Sequence, residues 1–130
     1  MYRKDHFLKF KQQFSKILDR LLELKDHGKK EEALSLLKDS YMQLFGVTKE
    51  AFSIPINNSS ISAIQQKLDL SDEQLESWAR LLFEEGELHQ LKFTFYENAL
   101  SILIYLNEKQ RLYSFEREEL IDYIKSRLHQ

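Results

Sequence analysis

Glu85 and His89 are the pair nearest to chemistry in this chain: one helical turn apart, a carboxylate and an imidazole on one face could share a divalent ion. The more economical reading is an exposed ion pair on an acidic helix. A di-iron site of the four-helix kind needs Glu-x-x-His pairs, which set two ligands on one helical face. The residues three before His6, His27, His89 and His129 are Arg3, Leu24, Gly86 and Ser126, so that motif is missing and no metal is expected. Nucleophilic hydrolysis needs a Ser or Thr held by a base beside an oxyanion donor, usually at a tight turn, and there is no Gly-x-Ser-x-Gly run. Phosphate loops need clustered glycines, whereas Gly28, Gly46 and Gly86 lie far apart. No catalytic residue and no cofactor are assigned, and an enzyme is not expected. Carboxylates brought together from separate helices would leave no such mark.

Charge offers a second kind of candidate. Residues 1 to 16 carry Arg3, Lys4, Lys9, Lys11 and Lys16 against Asp5 alone. Residues 69 to 97 carry eight carboxylates, namely Asp69, Asp72, Glu73, Glu76, Glu84, Glu85, Glu87 and Glu97, against Arg80 and Lys92. The bland reading is two solvated faces of opposite sign; the sharper one makes Lys4, Lys9, Lys11 and Lys16 a basic interaction face. Phe7, Phe10 and Phe14 interleave with these lysines, but they fall on the helix's own apolar stripe. They read as core rather than as base-stacking platforms, and with a net charge of −2 no nucleic-acid partner is expected.

Composition bounds what must position these residues. The 130 residues include 42% hydrophobic and 31% charged, with three Gly and one Pro, which is the make-up of a helical globular chain. One domain is the default at this length. The absence of Cys removes disulfides and thiolate sites and suits a reducing compartment, so a cytoplasmic location is expected. The N-terminus alternates charge with apolar residues and lacks the apolar core of a signal peptide. The longest apolar run, from Ala99 to Leu106, is far short of the about 20 residues a bilayer span requires.

Phe7, Phe10, Phe14, Ile17, Leu21 and Leu24, widened by Leu8, Leu18 and Leu22, draw a broad stripe down a first helix ending near His27, which predicts packing on more than one side. Gly28 closes it. Glu31 and Glu32 then sit in the first turn of a second helix, over about 30 to 45, with Ala33, Leu34, Leu37, Tyr41 and Leu44 facing inward and Gly46 ending it in the left-handed conformation. The segment 47 to 60, with Pro55 and Asn57-Asn58-Ser59-Ser60, reads as the flexible loop. Ile61, Ile64 and Leu68 suggest a short helix. Ser71 with Gln74 forms a capping box, with leucines 70 and 75 spaced as a staple, so a helix starts at Asp72 and runs to about His89; Gly86 lets another backbone approach. The helix from Phe93 to about Glu108 is apolar nearly all round and cannot face water. Asn107 to Gln110 read as a turn or frayed end, and Ser114 caps a last helix whose buried side is Leu120, Ile121, Ile124 and Leu128.

From about Ile17 to Phe45 the Gly28, Glu31-Glu32, Ala33-Leu34 and Leu37 pattern resembles a tetratricopeptide repeat, and Tyr96-Glu97-Asn98-Ala99-Leu100 loosely echoes it. The resemblance implies a helical surface for a partner. One subclass binds C-terminal carboxylates through Lys, Asn and Arg, but Leu18 and Leu22 stand where its Lys and Asn belong, so that clamp is not matched. Such a groove is most simply filled by the chain's own later helices, and otherwise by a partner's helix. The chain also looks like a family of small bacterial helical proteins of unassigned function, which open as here with Tyr2-Arg3-Lys4-Asp5-His6-Phe7.

Together these readings predict an all-α, tetratricopeptide-like arrangement of five to six antiparallel helices in one domain over 1–130. The hairpin spans about 6–45 and a second helical group about 61–129. The expected role is a non-catalytic protein–protein interaction module or adaptor, with a partner of unknown identity. The alternative is a peripheral membrane or anionic-surface binder using the basic N-terminal helix. A homodimer is expected through the Phe93–Leu106 helix, centred on Phe95, Ile102 and Tyr105 and aided by pairing of the basic and acidic stretches.

Overall fold

The computed structural model describes all residues except 1, 54, 55, 57, 91, 92, 111 to 113 and 130, and for residues 2 to 7, 58 and 59 it describes the backbone alone. The roles read for Pro55, Asn57, and the Lys4 and Phe7 side chains therefore lie outside the described residues. Six α-helices follow in order: α1 (Tyr2–Asp26), α2 (Lys30–Phe45), α3 (Asn58–Lys67), α4 (Asp72–Leu88), α5 (Phe93–Lys109) and α6 (Phe115–Leu128), with a 3-10 turn at Lys49–Phe52 after α2. No strand occurs among the described residues, and the fold is all-α. The chain, read from sequence as one domain, divides into two compact units, residues 1–52 and 53–130.

In the first unit α1 and α2 form a hairpin closed by Gly28, whose φ of 69° is the left-handed conformation that glycine adopts without a Cβ penalty. The Gly28 N–H donates to the Lys25 carbonyl and the Lys29 N–H to the Leu24 carbonyl, which satisfies the last carbonyls of α1. Gly46, at φ 75°, ends α2 likewise. Ile17, Leu21 and Leu24 pack inward with Ala33, Leu37, Tyr41, Leu44 and Phe45. The rings of Tyr41, Phe45 and Phe52 stand 5.1 to 5.5 Å apart in mutual tilted and edge contacts, so the 3-10 turn folds back onto the end of α2. Part of the expected loop is thus ordered by Phe52, and α3 already starts inside the polar run, at Asn58.

In the second unit α5 is the central helix and packs on α4, α6 and α3. Tyr96, Ala99, Ile102, Leu103 and Leu106 are fully buried along it. It runs to Lys109, through the residues read as a turn, because Asn107, Lys109 and Gln110 are held by side-chain bonds to other helices. The capping box opens α4 as read: the Gln74 N–H donates to Ser71 Oγ at 3.1 Å and the Ser71 N–H to Gln74 Oε1 at 2.9 Å. Gly86 admits a side chain rather than a backbone, since a Cβ there would lie 3.0 Å from Tyr96 Cε1 and 3.1 Å from Phe95 Cβ. Ser114 caps α6 by accepting from the Arg117 N–H. Its Leu128 is only half-buried, less covered than the apolar stripe implied.

Candidate functional site

The first candidate element is the basic half of α1. With 25 residues against 16 in α2, α1 is the longer helix by nine residues, about 13 Å at 1.5 Å per residue. The stripe expected to be packed on several sides is fully buried only from Ile17 onward; Phe10 and Phe14 are half-buried and Leu8 is 55% exposed. The shorter α2 runs out before Leu8 and Phe10, while Phe14 lies within its length. Phe10 and Phe14 lie with rings parallel at 6.4 Å. Lys9, Lys11 and Lys16 are exposed.

The second candidate is a pair of polar clusters at opposite ends of the α4–α5–α6 bundle. At one end Arg117 of α6, itself buried, donates from Nε to Glu76 at 2.8 Å, from Nη1 to the Asn107 side-chain oxygen at 3.0 Å, and from Nη2 to the Gln110 side-chain oxygen at 2.7 Å. The Asp72 carboxylate beside them accepts from Lys109 at 2.8 Å, Gln65 at 2.8 Å and Gln110 at 3.0 Å, which joins α3, α4 and α5. Burial pushes the Asp72 carboxyl up, but the bonds from Lys109, Gln110 and Gln65 outweigh it and hold the group below its ordinary value. Lys109 is raised in turn, chiefly by its bond to Asp72.

At the other end Arg127 of α6 grips Glu87 of α4 with two bonds of 3.0 Å, and the Tyr96 hydroxyl of α5 donates to the same carboxylate at 2.5 Å. Burial first, then the hydrogen bond to Glu87 and the charge of that carboxylate, raises the Tyr96 phenol far above its ordinary value. Arg80 donates to the buried Glu84 at 2.8 Å. The Glu85–His89 pair is not the exposed ion pair expected: Glu85 is 2% exposed, His89 Nε2 lies 3.9 Å from it, and the imidazole stacks on Phe95 at 5.5 Å. Among the described residues no group of three or more His, Cys, Asp or Glu is placed to hold a metal ion.

The three residues proposed for self-association are dispersed. Ile102 is 0% exposed inside its own unit, because α5 is central there, and it cannot form part of an outer patch. Phe95 is half-buried beside His89, and Tyr105 is half-buried with its hydroxyl donating to Gln65 at 3.3 Å. The apolar residues that α5 does present to solvent are Phe93 and Ile104, 43% and 39% exposed. The acidic stretch is also not an open face: Asp72, Glu76, Glu84 and Glu87 are bonded to Lys109, Arg117, Arg80 and Arg127 of the same chain. Sequence reading missed Arg117 and Arg127, whose partners lie 41 and 40 residues away.

Comparison with protein-family models, with curated proteins and with solved structures returned no match. No helix among the described residues is long and apolar enough to cross a membrane.

Proposed function

We propose that this protein is a non-catalytic helical interaction module whose docking element is the N-terminal half of α1. The reading is carried by one observation: the apolar periodicity of α1 continues past the part that is fully buried, to Phe14, Phe10 and Leu8. An amphipathic stripe kept beyond its own core is what a docking helix needs. The clusters around Arg117 and Arg127 fit this reading as fasteners, since their charged groups are bonded to one another across helices. The test is capture of partners from the producing cells with the intact chain and with Phe10→Glu/Phe14→Glu. Loss of captured species with helicity retained supports it, whereas an unchanged set removes α1 from the role. A second reading, contact of the same element with an anionic surface, is favoured by the exposure of Lys9, Lys11 and Lys16.

A homodimer belongs to the same proposal and, with Ile102 inside the protomer, is built on Phe93 and Ile104. Light scattering should then give twice 15.6 kDa at micromolar concentration, and Ile104→Glu should return the single-chain mass. A mass of 15.6 kDa for the unmodified protein removes the dimer.

A further inference from the structure

We draw no further inference here: the strongest candidate, the apolar patch of Leu8, Phe10 and Phe14 on the N-terminal half of α1, carries nothing beyond the docking role already proposed for it, because nothing in the structure shows what covers it.

Discussion

Gly86 is where one atom decides how closely α5 can lie on α4. Alanine is favoured over glycine in a helix by about 1 kcal/mol. Here the added methyl would meet the fully buried Tyr96 ring at 3.0 and 3.2 Å and Phe95 Cβ at 3.1 Å. The ring is held by its bond to Glu87 and has little room to yield, so Gly86→Ala is expected to destabilise by about 1 to 2 kcal/mol in urea denaturation. A gain in stability would show that the ring gives way. Tyr96 also sets an alkaline limit. A group whose proton is held more tightly in the folded state contributes fully below its ordinary value, here 10.0, and that contribution is lost as pH rises through the folded one. Stability should therefore fall above pH 10, and less steeply in Tyr96→Phe, as read from denaturation midpoints across alkaline pH. The two glycine turns and the Ser71–Gln74 box were legible because each is a contact within a few residues. Nothing local marked Tyr96 and Arg127 as partners of Glu87.

Helices were legible as elements for the same reason: period and caps are local, so the starts of α2, α4 and α6 were read from Gly28, Ser71 and Ser114. How far each is covered was not. The breadth of the α1 stripe suggested full enclosure, but α2 is nine residues shorter. The run of Asn, Glu, Lys and Gln after Leu106 reads as a turn or frayed end, yet α5 stays helical to Lys109, one residue past the expected end, where Glu118, Asp72 and Arg117 are brought to it. Arg117 is the fastening side chain of α6, and Arg117→Ala should cost about 2 to 3 kcal/mol in chemical denaturation, below the usual value for a buried pair because Glu76 remains partly hydrated. Arg117→Lys should recover only part of it, since one ammonium cannot serve Glu76, Asn107 and Gln110 with the planar fork of a guanidinium. Full recovery would reduce the cluster to simple charge pairing.

For the whole molecule, the all-α class was legible from composition and period, and so was the break between a hairpin at about 6–45 and a helical group at about 61–129; that each side forms a compact unit of its own depends on which helices meet. Leu37, fully buried in the first unit, tests that division. Leu37→Ala should cost about 2 to 5 kcal/mol there. Amide exchange should accelerate along α1 and α2 while α5 keeps its protection; equal acceleration in both would mean that they unfold as one. The position of the two arginines has a further consequence, for the order of events during synthesis. The first unit is complete once residue 52 has been made, whereas the carboxylates of Glu76 and Glu87 wait 41 and 40 residues for their guanidinium partners. Long waits of this kind slow folding and leave apolar helices open meanwhile. The nascent chain thus passes through a stage in which a finished helical hairpin precedes an unfastened α4–α5 pair, and it is then that a chaperone has most surface to hold.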